Sequence, residues 1–218
     1  LSLVGSEMCI RDRLYILDPK NADLADLGTV MPNVYHTKEE MIDCVNTFYD
    51  GMVARSEEMK QHPNYKTGEN YAYLGLPPCF LIFDEYVAFF EMLATKESMS
   101  LLSQLKKIVM LGRQAGYFLI VACQRPDAKY FSDGIRDNFN FRVGLGRISE
   151  LGYGMLFGSD VKKQFFQKRI KGRGYCDVGT SVISEFYTPL VPKGHDFLQT
   201  IGRLAQKQQS TQVQQEKE

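Results

Sequence analysis

From Leu14 onward, short apolar runs that end in polar residues alternate with longer amphipathic stretches. An apolar run of about five residues has the length of a buried strand, whereas the amphipathic stretches have the spacing of helices. Strands and helices that alternate along a chain form a parallel sheet with helices packed on its faces. The sequence therefore predicts an α/β fold with a mostly parallel sheet flanked by helices.

The same periodicities predict where the individual elements lie. The predicted strands are Leu14 to Leu17, Cys79 to Phe83, Phe118 to Cys123 and Phe141 to Leu145, followed by two β-rich runs at Tyr175 to Val178 and Val182 to Tyr187. The predicted helices are Lys38 to about Lys60, Leu101 to Gln114, Ser132 to Asn138 and Lys162 to Lys171. The first helix has one apolar face, formed by Met41, Val45, Phe48 and Met52. Thr37 followed by Glu40 is typical of a capping box at its start.

Composition limits the classes of protein to which this chain can belong. The 218 residues, 44% of them hydrophobic, suffice for one sizeable core, and the formal net charge of zero means that any contact with nucleic acid needs a local basic patch. The five cysteines stand singly and without zinc-ligand spacing, which favours a reducing cytoplasm. No apolar run approaches the roughly 18 residues that cross a bilayer, so we expect a cytoplasmic protein.

Both ends of the chain differ from the part between them. Glu7 to Asp12 back-translates as GAG ATG TGT ATA AGA GAC, which resembles the transposon end of a common sequencing-library adapter, and Leu3 to Ser6 fits the adapter upstream of it. We therefore interpret residues 1–13 as translated non-native sequence, with an ordinary flexible terminus as the alternative. Residues 201–218 are rich in Gln and Lys, which predicts a disordered tail.

Two acids, Asp84 and Glu85, follow the apolar run Cys79 to Phe83 without a break. In open parallel sheets, ligands gather at the carboxyl ends of the strands. An acid at this point can hold Mg²⁺, directly or through water, and the next acid can polarise a water that attacks a phosphoryl group. The arrangement has the form of a Walker B motif. A strand that ends in acids is also common in other α/β proteins, so a structural role stays open.

A second polar group follows the run Leu119 to Cys123. Gln124 would lie beside Asp84 if the two predicted strands are neighbours in the sheet. An amide carries both a donor and an acceptor, so it can contact a phosphate or align a water. Taken alone, this glutamine is unremarkable.

Five segments and their order resemble the FtsK/SpoIIIE family of DNA translocases. They are Leu14-Tyr-Ile-Leu-Asp-Pro-Lys20, Leu81-Ile-Phe-Asp-Glu-Tyr86, Gly112-Arg-Gln-Ala-Gly-Tyr117, Ala122-Cys-Gln-Arg-Pro126 and Asp137-Asn-Phe-Asn-Phe-Arg-Val143. The resemblance covers residues 14 to about 180 and is closest to variants from conjugative elements of Gram-positive bacteria, through Glu69-Asn-Tyr-Ala-Tyr-Leu-Gly75 and Gly172-Arg-Gly-Tyr-Cys-Asp-Val-Gly179. It implies a partial RecA-like P-loop NTPase motor domain over residues 14–200.

The resemblance also implies how such a domain works. ATP is bound between the subunits of a ring, usually a hexamer of identical chains, and double-stranded DNA passes through the centre. By position, Asp84 organises Mg²⁺, Glu85 is the catalytic carboxylate and Gln124 senses the phosphate. Arg113 matches the position of an arginine that reaches into a neighbouring subunit, with Arg125 and Arg142 as rivals. The structural alternative for Arg113 is a surface arginine at the end of a helix.

The sequence departs from the family at one point, because it contains no G-x-x-x-x-G-K-[ST] motif, the Walker A phosphate-binding loop. In the family this loop lies upstream of the strand that ends in Asp-Pro-Lys, where the adapter-like residues stand here. We therefore expect that truncation removed it. Without the N–H cradle and lysine of the loop, the phosphates lose their principal holder. The chain alone is expected to bind ATP poorly and to hydrolyse essentially none.

One basic stretch is the candidate contact for DNA. It contains Lys162, Lys163, Lys168, Arg169, Lys171 and Arg173. This stretch could track phosphates in a ring, and a solvated helix face is the alternative. We see no winged-helix module and no transmembrane anchor, so attachment at the inner face of the cell membrane is expected only through missing N-terminal regions.

Three functions remain open at this point. The first is a conjugative or chromosomal DNA translocase fragment. The second is a related secretion ATPase that moves proteins, which the full-length domain architecture would separate from the first. The third is a non-catalytic ring or interaction domain that lost its loop naturally, and the upstream reading frame would decide that point.

Overall fold

The computed structural model describes residues 13–126, 129–131, 133–158, 160–161, 164–166, 170–180 and 182–205. The chain forms two compact units. The first unit contains the chain up to Cys123 together with the segment from Asp196 onward, and the second unit runs from Gln124 to His195. The predicted non-native segment lies outside the described residues, apart from Arg13.

A parallel sheet of four strands is the centre of the first unit. The strands are β1 (Leu14–Leu17), β2 (Val34–Tyr35), β3 (Cys79–Phe83) and β4 (Tyr117–Val121), and their order across the sheet is β2-β1-β3-β4. Cys79 pairs with Tyr117 and Phe83 with Val121, so the prediction that these two strands are parallel neighbours is confirmed. Among the described strands β4 is the last of the sheet, and its Ile120 is 48% exposed.

Helices flank this sheet. They are α1 (Lys38–Gln61), α2 (Tyr86–Glu91) and α3 (Thr95–Ala115), and a short 3₁₀ helix at Ala25–Thr29 follows β1. The predicted apolar face of α1 is buried, and the Phe48 ring in that face meets the rings of Tyr15 and Tyr117 edge-on. Helix α1 therefore packs on the side of the sheet that carries alternate residues of β3, beginning with Cys79.

The predicted capping box at the start of α1 forms differently. The Thr37 hydroxyl donates to the Glu40 carboxylate over 2.7 Å, and the Thr37 side chain accepts no backbone N–H of the first turn. The glutamate half of a capping box is formed at α3, where the backbone N–H of Ala94 donates to the Glu97 carboxylate over 2.7 Å, and the alanine side chain has no acceptor for the other half. Glu97 also pairs with Lys38 over 2.9 Å, which ties the start of α3 to the start of α1.

The turn from α3 into β4 allows very close approach of two backbones. A side chain at Gly112 would place its Cβ 2.2 Å from the carbonyl oxygen of Tyr117, so only glycine fits there. Gly116 ends α3 in the left-handed region, with φ of 78°, which glycine adopts without strain. Arg55 of α1 reaches this turn, where its guanidinium donates to the carbonyl oxygens of Pro77 and Ala115.

The second unit contains an antiparallel sheet with strand order β5-β6-β7. The strands are β5 (Arg142–Leu145), β6 (Arg173–Asp177) and β7 (Ser184–Tyr187), and the helices are α4 (Asp133–Arg136) and α5 (Glu150–Phe157). Its buried core contains Tyr153, Phe157, Tyr175 and Ile183. This unit therefore has a small aromatic core of its own.

Strand β2 was not predicted, and some strand ends lie one or two residues from their predicted positions. The other differences from the predicted elements concern helices. Helices α2 and α5 were not predicted, and α3 begins six residues before the predicted start at Leu101. The described residues of the predicted basic helix, 164–166 and 170–171, are not helical. Residues 197–205 form a helix, α6, so the predicted disordered tail is helical at 201–205, and its remainder lies outside the described residues. Gly202 and Ala205 of this helix are buried, so part of the helix packs against the protein, which the polar composition of the tail does not reveal.

No helix in the described part of the chain combines the length and the apolar character that crossing a bilayer demands.

Candidate functional site

The polar residues that follow β1 and β3 lie at the carboxyl edge of the parallel sheet. The N–H of Asp84 donates to the carbonyl oxygen of Leu17 over 2.9 Å, which ties the end of β3 to the end of β1. On the other side, Ala122 donates to Phe83 and accepts from Tyr86, both over 2.9 Å. Backbone hydrogen bonds thus join the ends of three neighbouring strands. These bonds fix the position of the backbone at Asp84 and Glu85.

Asp18 is the structural carboxylate of this edge. It is fully buried, and its two oxygens accept the N–H groups of Lys20, Ala22 and Ala25 over 3.1, 2.8 and 3.0 Å. A buried carboxylate that accepts several backbone N–H groups is a stable arrangement, because each bond compensates for lost hydration. Asp18 therefore holds the turn after β1 in one conformation.

Asp84 is a partly buried carboxylate among other negative charges. Its pKa is raised above the ordinary value, first by burial and then by the nearby carboxylates of Asp18 and Glu85, while Lys20 acts in the opposite direction. A carboxylate that is costly to ionise on its own gains most when a cation arrives. The site is therefore electrostatically suited to a bound cation beside Asp84.

Glu85 lies between β3 and α2 in a conformation unusual for a residue with a side chain. Its φ and ψ are 51° and 55°, in the left-handed region, and it is the residue before the first turn of α2. Such a conformation costs about 1–3 kcal/mol for a residue other than glycine and tends to occur at functional sites. The nearby thiol of Cys123 has its pKa raised to about 11, by burial and by the Glu85 charge.

Lys20 is a residue of this edge to which sequence reasoning gave no role. Its Nζ lies 3.5 Å from Oε2 of Glu85. The only signal in the sequence was its place in the Asp18-Pro19-Lys20 segment after β1. Its contact with Glu85 depends on the pairing of β1 with β3, which the sequence alone does not reveal.

The other predicted site residues stand as follows. Gln124 is exposed and is the first residue of the second unit, and its role as a phosphate sensor stays a prediction. Arg113 is exposed in the last turn of α3, and the described residues offer it no ion pair. The rival Arg125 is exposed as well.

The rival Arg142 is engaged within its own unit. Its guanidinium donates to the Asp177 carboxylate over 2.6 Å and to the carbonyl oxygen of Leu156 over 3.2 Å. Asp177 is only 3% exposed, so this is a largely buried ion pair, in which removal of one partner would leave an uncompensated charge. This geometry favours a structural role for Arg142.

Most of the predicted DNA-contacting stretch falls outside the described residues, namely Lys162, Lys163, Lys168 and Arg169. Lys171 and Arg173 are described and exposed. The guanidinium of Arg173 lies 4.9 Å from the centre of the Tyr187 ring, a cation–π contact that leaves the charge available to solvent.

Three solved structures have a fold similar to that of this chain. The conjugation coupling protein TcpA of pCW3, in its monomer form with ATPγS, matches with a TM-score of 0.68 at 16% identity, over 91% of this chain and 57% of that one. The type VII secretion ATPase EccC of Thermomonospora curvata matches with a TM-score of 0.63 at 18% identity, over 92% of this chain and 24% of that one. EssC of Geobacillus thermodenitrificans matches with a TM-score of 0.61 at 15% identity, over 94% and 39%. The fold is that of the RecA-like P-loop ATPase domains.

Similarity in sequence to one relative shows the family to which the chain belongs. The chain is 60% identical over 187 residues to the FtsK domain-containing protein YdcQ of Bacillus subtilis, which is 85% of this chain and 39% of that protein. No family model matches the chain. The resemblance to the FtsK/SpoIIIE family is thus confirmed, and the chain is a homologue of a part, about two fifths, of an FtsK domain-containing protein.

Proposed function

We propose that the chain is part of an ATP-driven motor that moves double-stranded DNA, in the transfer of a conjugative element. The observation that carries the proposal is the 60% identity to an FtsK domain-containing protein over 187 residues. The adjacent carboxylates of Asp84 and Glu85 at the carboxyl edge of a parallel sheet support it, since this is where α/β proteins bind nucleotides.

ATP and Mg²⁺ are the proposed cofactors, and the carboxyl edge fits them. The described residues contain no cluster of three His, Cys, Asp or Glu side chains that could hold a metal alone. This suits Mg²⁺, which takes one or two carboxylates and completes its shell with water and phosphate oxygens. When bound, ATP would supply the phosphoryl group, and Mg²⁺ would neutralise its negative charge. The raised pKa of Asp84 fits a position beside that cation.

Each proposed site residue has a separate task in this motor. Asp84 orients the metal, and Glu85 accepts a proton from the attacking water. Gln124 contacts the phosphate, and Arg113 reaches into the site of a neighbouring copy in a ring, proposed to be hexameric. The exposure of Arg113 and its lack of an ion pair among the described residues leave its charge free for a partner.

The absence of a G-x-x-x-x-G-K-[ST] motif bears directly on activity. Asp84 and Glu85 can assist hydrolysis only after the phosphates are held, and the N–H cradle and lysine of that loop are their principal holders. We therefore propose that this chain alone is inactive as an ATPase. In this proposal, activity requires a longer protein that carries such a loop.

A protein-moving ATPase is the second candidate, because two of the three solved structures reported above are EccC, named as a secretion ATPase, and EssC. Their identity to this chain is 15–18%, against 60% for the FtsK domain-containing relative. The higher identity favours DNA as the substrate. A non-catalytic ring or interaction domain is the third candidate.

The test uses the longer native protein with its phosphate-binding loop. We expect double-stranded DNA to stimulate its ATP hydrolysis several-fold, and Glu85→Gln to abolish hydrolysis while ATP binding persists, because an amide keeps the shape but cannot accept the proton. Turnover and nucleotide binding are measured in parallel. Stimulation by a polypeptide and not by DNA would favour the secretion ATPase, and no hydrolysis under any condition would favour the non-catalytic domain.

A further inference from the structure

The Lys20 ammonium contacts the carboxylate to which the proposed function assigns proton transfer. Its Nζ is 3.5 Å from Oε2 of Glu85, and the two side chains are 45% and 16% exposed. Within the described part of the chain, no other hydrogen bond or ion pair reaches the Glu85 carboxylate. Among the polar contacts that the described residues make, this ion pair is therefore the one that can direct that carboxylate.

The backbone that carries Lys20 is fixed on two sides. Its own N–H donates to the fully buried carboxylate of Asp18, and the N–H of Asn21 donates to the carbonyl oxygen of Asp18 over 3.0 Å. Asn21 itself is in the left-handed region, with φ of 49°, as a tight turn requires. Because the turn is held in this way, forming the contact orders the side chains of Lys20 and Glu85 and requires no further ordering of the Lys20 backbone.

The backbone of Glu85 is equally constrained, whereas its carboxylate has one polar contact among the described residues. Its left-handed φ and ψ set the direction in which the side chain leaves the backbone. Beyond Cβ, a glutamate retains rotamer freedom that costs up to about 2 kcal/mol to remove on burial. The ion pair with Lys20, over 3.5 Å, is the means by which this site can restrict that freedom, and its effect is modest because the Lys20 side chain is 45% exposed.

We propose that Lys20 is a positioning residue for Glu85. The ammonium holds Oε2, and Oε1 is left to accept a proton from water, since an ionised carboxylate has acceptor capacity on both oxygens. The inference rests on the proposed function of Glu85. Lys20 itself touches no reacting atom in this scheme and acts only through the carboxylate it holds.

The first experiment needs neither nucleotide nor turnover and uses this chain as it is. Side-chain relaxation of isotopically labelled glutamate is measured by NMR in the parent and in Lys20→Met, which keeps the length of the side chain and removes its charge. We expect the order parameter at Cγ of Glu85 to fall in Lys20→Met and to recover in Lys20→Arg. Lys60→Met is the matched control, because Lys60 pairs with exposed Glu57 on α1 and should leave Glu85 unchanged.

An unchanged order parameter in Lys20→Met would overturn the proposal. The amide spectrum of each variant reports whether the fold is intact. If Lys20→Met does not fold, Lys20→Gln replaces it, because the glutamine is polar but neutral and would likewise be expected to release Glu85.

The second experiment measures turnover in the longer native protein. We expect Lys20→Met to lower kcat by about 10- to 100-fold, as misplacement of a reacting group does, with a KM for ATP within about twofold of the parent. Recovery in Lys20→Arg would support positioning by charge. A raised KM with unchanged kcat would instead mean that Lys20 binds nucleotide, and would overturn the proposal.

Glu85→Gln separates a failure of the proposed role of Glu85 from a failure of the positioning role of Lys20. If Glu85→Gln retains turnover, the proposed function of Glu85 fails, and the positioning role of Lys20 fails with it. If Glu85→Gln abolishes turnover while Lys20→Met has normal turnover, the proposed function stands and only the positioning role is wrong.

Discussion

Asp84 shows at the scale of one residue how a site suited to a cation reduces the stability of the chain that carries it. Burial, and the negative charges of Asp18 and Glu85, raise the pKa of its carboxyl group. The folded state therefore holds the Asp84 proton more tightly than the unfolded chain does. The stability contributed by this group is present below the unfolded pKa, about 3.9, and is lost as the pH rises through the higher folded value.

This linkage predicts the effect of Asp84→Asn. The neutral amide avoids the cost of a buried charge, so the variant should gain free energy of unfolding relative to the parent as the pH is raised from 3 to 7. The gain should be modest, because the carboxylate is partly exposed and solvent screens it. Urea unfolding of both proteins at several pH values measures the difference. A difference that stays constant across this range would contradict the raised pKa.

At the scale of the elements, the contact between α3 and β4 depends on one glycine. A Cβ at Gly112 would lie 2.2 Å from the Tyr117 carbonyl oxygen, a backbone atom that can move only with its strand. Overpacking of this kind costs about 1–3 kcal/mol, and more when a backbone has to shift. The gain of about 1 kcal/mol for alanine over glycine inside a helix does not offset it.

We therefore expect Gly112→Ala to be destabilising and a matched substitution to have the opposite sign. Gly154 lies within α5, and a Cβ built there meets nothing within 4 Å. Gly154→Ala should stabilise its helix by up to about 1 kcal/mol, since nothing opposes the helix propensity of alanine. Denaturant unfolding of both variants, followed separately in each unit, gives the two free energies. Equal effects would mean that the α3–β4 contact relaxes without cost.

How well each element could be predicted depended on the range of the interactions that form it. The strand Cys79–Phe83 was predicted to the residue, because a run of five apolar residues has few alternatives in a buried sheet. Helix α2 was missed because its Tyr86, Phe89 and Phe90 continue the apolar character of the strand and show their helical spacing only over six residues. So short a pattern does not separate helix from strand.

The candidate site was predictable to a similar extent. Asp84 and Glu85 follow a strand directly, so the rule that ligands gather at the carboxyl ends of strands was enough to find them. The contact of Lys20 with Glu85 joins residues 65 positions apart, by subtraction of their numbers, and needs the three-dimensional pairing of β1 with β3. Likewise, the engagement of Arg142 by Asp177 became visible only when β5 and β6 were paired.

At the scale of the whole molecule, the proposed ring predicts that two inactive variants restore activity when they assemble together. In the longer protein, Arg113→Ala should lower ATP turnover by roughly 10³- to 10⁵-fold, the range known for arginines that act in trans. Mixed with Glu85→Gln, it should recover part of the activity, because some interfaces then pair an intact Glu85 with an intact Arg113. Steady-state ATP hydrolysis of the mixture, with co-assembly verified by size and mass, is the measurement.

A mixture no more active than either variant alone, despite verified co-assembly, would exclude Arg113 from this role. The exposed Arg125 would then be the next candidate, ahead of Arg142, whose guanidinium is held by Asp177.

Strand β4 also matters for how the protein behaves in a test tube. In the described part of the chain it is the outermost strand of the sheet, with an apolar sequence and a side chain, Ile120, that is 48% exposed. An outermost strand can act as a template on which another extended chain adds by backbone hydrogen bonding. We therefore expect concentrated solutions of the protein to aggregate over time, which an increase in light scattering would report. The rate of this aggregation would depend on strand β4 and not on the carboxylates at the end of the sheet.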